Sequence, residues 1–199
     1  MNKPEFYYTI EQGSVAEFKD RGSRFIACAF PIITTESFKI KLQQLKKEHP
    51  KAVHHCFAYR IGTDGNQFRS SDDGEPAGAA GKPILGQIDS RGLTNILIVV
   101  VRYFGGTLLG VPGLIHAYKS AASLALQTVP AIKKTIMVQL TLQFDYTKMN
   151  DVMRTVKQQQ GIVQEQQNQL FCRMMVQVPA KEEKTFRNNM EALYGIEIL

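Results

Sequence analysis

The chain has 199 residues, 44% hydrophobic and 21% charged, an ordinary globular composition that excludes disordered, collagen-like and coiled-coil architectures. Three cysteines, Cys28, Cys56 and Cys172, with no CxxC pair, exclude a disulfide framework and the usual signature of structural zinc or thioredoxin-type chemistry. The net charge of +6 is uneven, with 17 basic and 11 acidic residues in 1–134 and seven of each in 135–199; it draws polyanions without naming one, and a solvated basic surface accounts for it equally.

Residues 1–5 lack the apolar stretch of a secretory signal. The longest apolar run, 96–101, has six residues where a helical membrane span needs about 20, so a cytoplasmic protein is expected. Residues 14–20 and 23–31 read as strands joined by a hairpin turn at Arg21-Gly22. Phe38, Leu42 and Leu45 take helical spacing over 37–48, which ends before Pro50. Residues 53–61 and 95–103 read as strands, the second apolar enough to be central in a sheet. Ile84, Leu85 and Ile88 predict a helix opening at Lys82-Pro83, and Leu114, Ala117, Tyr118, Ala121, Leu124 and Ala125 give the inward face of another over 113–127. Strands and helices mixed with two long glycine-rich loops predict an α+β domain over residues 1–132.

Residues 130–134 are the candidate linker, and 133–199 form a second domain. Ile136, Val138, Leu140, Leu142 and Phe144 alternate with polar or exposed positions, as in a half-buried strand. Met149, Val152, Met153 and Val156 follow at helical spacing, and Gly161 ends that helix. Extended stretches over 162–166 and 170–178 lead to Pro179, which opens a helix carrying Phe186, Met190 and Leu193. Gly195 stops it before a last strand over 196–199. The order βαββαβ predicts a ferredoxin-like fold. Seven glutamines between Gln158 and Gln169 need only a solvated surface.

Two loops carry the chemistry. The first, residues 69–83, gathers Asp72, Asp73 and Glu75, then small residues, then Lys82. A helix starting at its end would offer free N–H groups to an anion, with Lys82 as a point charge. It is not a Walker A loop, because Pro76 stands where a glycine is required and Pro83 replaces the magnesium-binding hydroxyl. The carboxylates suit a hard cation, although Asp-Asp-Gly-Glu-Pro is equally ordinary turn chemistry. The second loop, residues 102–114, holds Gly105, Gly106, Gly110 and Gly113 without the dinucleotide pattern. Arg102, His116 and Lys119 are candidates to bracket one polyanionic group beside its backbone donors; a close-packed turn with a solvated helix face is the alternative. Tyr103 and Phe104 suit base stacking only where exposed. His54 and His55 point to opposite faces of a strand, so they cannot share an ion, and one of them can face the acidic loop. Cys56 lies on the His54 face with no third member of a nucleophilic triad, and Cys28 reads as core.

At these residues the chain resembles the YigZ/IMPACT family: bacterial two-domain proteins whose N-terminal half is shared with a eukaryotic translation regulator. The resemblance rests on Ser23-Arg24-Phe25-Ile26-Ala27, His54-His55-Cys56, residues 71–78 followed by Ala80-Gly81-Lys82-Pro83, and residues 101–110. It departs from the family pattern at Ala79, usually threonine, at Val111-Pro112, and at His116, where a basic residue is common. The resemblance implies an N-terminal domain like the second domain of a ribosomal small-subunit protein. It also implies a ferredoxin-like C-terminal domain, a pairing similar to the fourth and fifth domains of elongation factor G. Its eukaryotic members bind a ribosome-associated activator of a translation-control kinase, and no catalytic activity or cofactor comes with it.

Three readings follow. One is a non-enzymatic protein binding RNA, the ribosome or a translation factor through Lys82, Arg102, Gly105, Gly106, His116 and Lys119. The second is an enzyme or small-ligand binder using Asp72, Asp73 and Glu75 near His54 or His55, which requires two carboxylates and a histidine around one cavity. The third is a protein-interaction module without nucleic acid. Neither a resident metal nor an oligomeric state is implied.

Overall fold

In a computed structural model, which describes residues 4–168 and 171–199, the elements run β1 (Phe6–Thr9), β2 (Ser14–Asp20), β3 (Ser23–Pro31), α1 (Thr35–Glu48), β4 (His54–Ile61), β5 (Gln67–Ser71), α2 (Gly81–Ser90), β6 (Ile96–Tyr103) and α3 (Gly110–Gln127). Strands β2 to β6 form one antiparallel sheet in the order β2-β3-β6-β4-β5. The apolar β6 lies at its centre, covered on both faces. Ile96, Ile98 and Val100 join the core under α2 and α3, while Leu97, Val99 and Val101 join the core containing Phe38 and Leu45 of α1. The same period of two runs through the neighbouring strands. Phe25, Ala27, Ala29, Cys56 and Ala58 pack toward α2 and α3, and Cys28, Phe57, Tyr59 and Ile61 toward α1. Each large buried side chain contributes roughly 1.5–3 kcal/mol by leaving water.

Local chemistry explains the boundaries. The β2–β3 turn places Arg21 at φ 42° and Gly22 at φ 80°, the two positive values that a type I′ hairpin demands. Thr34 caps α1 by accepting the Ser37 N–H at 3.1 Å. Helix α3 begins at Gly110, three residues before the predicted start, because Pro112 within a first turn removes an N–H that has no helical acceptor anyway. Strand β5 was not legible, being a mostly exposed, polar edge. Within α2, Gly86 has open space around its Cα and no positive φ. Gly86→Ala should therefore stabilise the fold by about 0.5–1 kcal/mol, read as a raised unfolding midpoint; a lowered midpoint would contradict this placement.

The chain divides into Tyr7–Lys134 and a second unit holding Thr135–Leu199 with the described N-terminus up to Phe6. Residues 132–135, within and beyond the segment read as a linker, form strand β7 (Ile132–Thr135), which pairs with β1. The second unit then runs β8 (Met137–Phe144), α4 (Met149–Gln158), β9 (Ile162–Asn168), β10 (Cys172–Pro179), α5 (Glu183–Glu191) and β11 (Ile196–Ile198). Its antiparallel sheet has the order β11-β8-β10-β9, the ferredoxin-like arrangement. Leu140, Leu142, Phe144, Val152, Val156, Phe186 and Met190 meet in its core. Met153 is exposed instead of inward, and Thr155 takes the buried place because its hydroxyl donates to the Asp151 carbonyl at 3.0 Å. Gln169 and Leu170, predicted as part of the glutamine run and of the strand before Pro179, lie outside the described residues. The protein is thus α+β with two domains. Among the described residues no helix is long and apolar enough to cross a membrane.

Candidate functional site

The acidic loop folds back on itself through its own backbone. Asp73 and Gly74 take φ 42° and 90°, and the Glu75 N–H donates to the Asp72 carbonyl at 2.9 Å, a second I′-like turn between β5 and α2. The Asp72 carboxylate accepts the N–H groups of Gly78, Ala80 and Gly81 at 2.9, 3.0 and 2.8 Å. Burial alone would raise its pKa; these three donors, with Lys82 adding its charge, outweigh burial and hold it below the usual value. The start of α2 is therefore occupied by the protein's own carboxylate, and Lys82 beside it points outward, exposed. Asp73 is also engaged: its Oδ2 accepts the His55 N–H at 2.7 Å, and Lys46 lies 3.8 Å away.

Glu75 is the one loop carboxylate that turns inward, its side chain 4% exposed. Its Oε1 accepts from Arg102 Nη1 at 2.6 Å and from the Tyr118 hydroxyl at 2.7 Å. His54 Nδ1–H donates to the Asp73 carbonyl at 2.7 Å, and its Nε2 lies 3.9 Å from Glu75 Oε1. Cys56 Sγ lies 3.0 Å from the Asp72 carbonyl and 3.2 Å from the Tyr118 hydroxyl. Burial pushes its thiol up to about 12, far from a nucleophilic thiolate at neutral pH. Burial likewise raises the Tyr118 phenol. Arg102 is enclosed between rings, its guanidinium carbon 5.4 Å from the Phe25 centroid and 5.7 Å from that of Phe104.

Above this floor lies a cleft of about 450 Å³, walled by Val53, His54, Pro76, Phe104, Leu108, Leu109, Gly110, Val111 and Leu114. Both glycine-rich loops contribute. The second is held against the β2–β3 turn: the Gly105 N–H donates to Ser23 Oγ at 3.2 Å, and a Cβ on Gly105 would fall 1.9 Å from the Gly22 carbonyl carbon. Gly106, at φ 86°, and Gly110 lie exposed in the loop. The rim is apolar and open, with Val53 59%, Phe104 49%, Leu108 82% and Val111 46% exposed.

Of the residues singled out from sequence, His54, Glu75, Arg102 and Gly110 meet in this cleft. The cavity with two loop carboxylates and a histidine does not form, because Asp72 and Asp73 spend their oxygens on backbone N–H groups. Among the described residues no three His, Cys, Asp or Glu side chains converge as metal ligands. Nor do Arg102, His116 and Lys119 bracket one group. Leu114 and Tyr118 occupy the buried face of α3, whereas His116 and Lys119 line a separate depression of about 410 Å³ with Phe18, Gln87, Ser120 and Ser123. Tyr103 is half-buried, its hydroxyl 2.9 Å from His49 Nδ1, while Phe104 is open. Sequence reading missed the roles of Tyr118 and Cys56. The signal was present: a tyrosine on an alanine-rich inward helix face needs a buried partner for its hydroxyl.

His55, on the other face of the sheet, is buried, and its Nε2 has no hydrogen-bond partner among the described residues. Burial first, then the nearby Lys46 charge, lowers its pKa. The folded state thus refuses a proton that the unfolded state takes up near pH 6.5, so stability is full above about that value and falls as pH drops toward the folded-state pKa. Unfolding free energies measured by denaturant from about pH 8 to about pH 5 should decline by at most about 1.4 kcal/mol per pH unit from this group, and His55→Gln should flatten that component. An unchanged slope would mean that His55 protonates freely in the fold.

A family model described as the Impact N-terminal domain matches residues 21–126, the span that holds strands β3 to β6, both loops and the cleft. The chain is 38% identical over 166 residues to the IMPACT family member YigZ of Escherichia coli (strain K12), covering 82% of this chain and 81% of that one. It is 32% identical over 187 residues to the IMPACT family member YvyE of Bacillus subtilis (strain 168), covering 94% and 86%. A solved crystal structure of a hypothetical protein, 32% identical, matches with a TM-score of 0.78 over 99% of this chain and 98% of that one. With one family model matching four of the five strands of the cleft-bearing sheet and named relatives sharing most of the chain, this protein belongs to the IMPACT family.

Proposed function

We propose that this protein is a non-enzymatic, cytoplasmic, translation-associated binding protein whose N-terminal unit grips a protein of the translation apparatus, a ribosomal protein or a translation factor. The observation that carries this reading is the cleft, where Val53, Phe104, Leu108 and Val111 stand open to water around one opening. Exposed apolar side chains gathered at a concavity mark a protein-docking site. Family membership supplies the link to translation, through the ribosome-associated partner that the family resemblance implies. RNA fits this cleft less well. Among the described residues that line it, the one arginine or lysine is Arg102, buried and paired with Glu75. Catalysis is also poorly served, since the Cys56 thiol is held protonated and two donors already engage Glu75 Oε1.

The test is co-sedimentation with ribosomes, and capture of purified translation factors, across a salt series. Leu108→Asp should weaken association about tenfold or more, consistent with loss of an apolar anchor. Lys82→Glu/Lys119→Glu should leave it within about twofold, with a shallow salt dependence. A steep salt dependence abolished by the lysine pair would replace this reading with phosphate contact at the exposed Lys82, His116 and Lys119. No association at any salt would overturn both.

A further inference from the structure

Arg102 lines the floor of the cleft with most of its donors unused. Its side chain is 7% exposed, and among the described residues it makes one hydrogen bond, from Nη1 to Glu75 Oε1 at 2.6 Å. Its Nε is fully buried and has no partner there. Nε–H and one Nη2–H share an edge of the planar guanidinium, and that edge meets no protein acceptor among the described residues. A buried N–H without an acceptor is costly, and a ligand that supplies an oxygen recovers the cost. The charge of Arg102 is already balanced by Glu75, and the described lining holds no second arginine or lysine. A carboxylate or phosphate would therefore bring an uncompensated negative charge beside Glu75, whereas a neutral carbonyl oxygen brings none.

We infer that the cleft takes a main-chain carbonyl of the partner protein, one that the partner's own fold leaves unpaired, together with the aliphatic side chain next to it. The carbonyl oxygen accepts from the Nε–Nη2 edge of Arg102, reached as the half-exposed Phe104 ring turns aside from the guanidinium, and the side chain packs on Leu109, Val111 and Leu114. A chain segment suits this cleft better than a small molecule. Val53 and Leu108 stand 59% and 82% exposed at the rim, and a molecule that filled only the cavity of about 450 Å³ would leave them in water. Loops and the last turns of helices supply carbonyls of this kind, because they lack main-chain donors of their own. The inference rests on the proposed reading of the cleft as a protein-docking site and names what it grips.

Three probes with the same branched aliphatic body separate the head groups: N,N-dimethyl-4-methylpentanamide, a neutral acceptor without donors; 4-methylpentanoate, an anionic acceptor; and 4-methylpentylammonium, a donor alone. Each is titrated into the isotopically labelled full-length protein and followed by NMR at the Arg102 Nε–H resonance, assigned through bonds. Expected are saturable binding of the amide with a downfield shift of the Arg102 Nε proton, and about tenfold weaker binding of the other two. The double variant Glu75→Leu/Arg102→Met, checked for native unfolding behaviour, should lose the preference for the amide; the proton shift in the wild type decides the matter even where that variant fails to fold. Tighter binding of the carboxylate, amide binding that leaves the Arg102 proton unmoved, or no binding of any probe would overturn the inference. Uridine, whose base also carries neutral carbonyls, would overturn the peptide occupant by binding in preference to the amide. At saturation the amide should also compete with ribosome or factor association. Amide binding at Arg102 without competition would sink the docking reading while keeping Arg102 as a carbonyl donor. Conversely, loss of association in Leu108→Asp with no probe bound at Arg102 would sink the carbonyl inference and leave the docking reading standing.

Discussion

Glu75→Ala is expected to cost about 3–5 kcal/mol of stability, because it strands the Arg102 guanidinium in the interior without its counter-charge. It also removes the acceptor of the Tyr118 hydroxyl, which donates to the same oxygen at 2.7 Å, and leaves that hydroxyl only the Cys56 thiol at 3.2 Å. The loss is not the worth of the ion pair itself, since withdrawing two charges from water offsets most of their attraction. A double variant separates the two quantities. Glu75→Leu combined with Arg102→Met removes both charges, leaves only Tyr118 to find a new partner, and should recover more than half of the loss in denaturant unfolding. If Glu75→Ala stays within about 1 kcal/mol of wild type, water reaches the pair and the floor of the cleft is not a closed network.

Gly105→Ala is the second large effect, of about 3 kcal/mol or more. The added methyl carbon would fall 1.9 Å from the Gly22 carbonyl carbon and 2.2 Å from Ser23 N. Neither side yields easily, since a Cβ on Gly22 would itself fall 2.7 Å from the Gly105 oxygen, and Gly22 needs its φ of 80° for the hairpin turn. Gly106→Ala is the control. It meets nothing within 4 Å and carries only the strain of φ 86°, about 1–2 kcal/mol. Thermal unfolding ranks the two, and Gly105→Ala should also impair docking at the cleft because the displaced loop carries Phe104 and Leu108. Equal effects would show that the loop and the hairpin turn are not in contact.

Much of this fold was legible residue by residue. The alternation from Ile136 to Phe144 and the helical spacings after it determine a βαββαβ unit by burial alone, whatever else the chain does. The run from Ile96 to Val101 demanded cover on both faces, and the sheet supplied it. The two glycine-rich loops stood out as chemistry, and both line the cleft. Period two even held the answer for Arg102: it shares parity with Ile96, Ile98 and Val100 and so faces the interior of the sheet. Read as a cation near glycines, it looked like a surface contact for phosphate.

Partnership is what the local pattern could not supply. Glu75, Arg102 and Tyr118 are far apart in the chain, and only the pairing of β4 with β6 and the packing of α3 bring them to one oxygen. Asp72, Asp73 and Glu75 look alike in sequence, yet one caps a helix start, one binds a strand N–H, and one is buried with an arginine. Periodicity and turn chemistry depend on neighbours within a few residues, so the sequence by itself determined the helices, which loops are irregular and every strand but the short or exposed β1, β5 and β7. Charge pairing and desolvation depend on distance in space and on access to water, so tertiary structure alone decided which loop residues are spent on the fold and which remain open in the cleft.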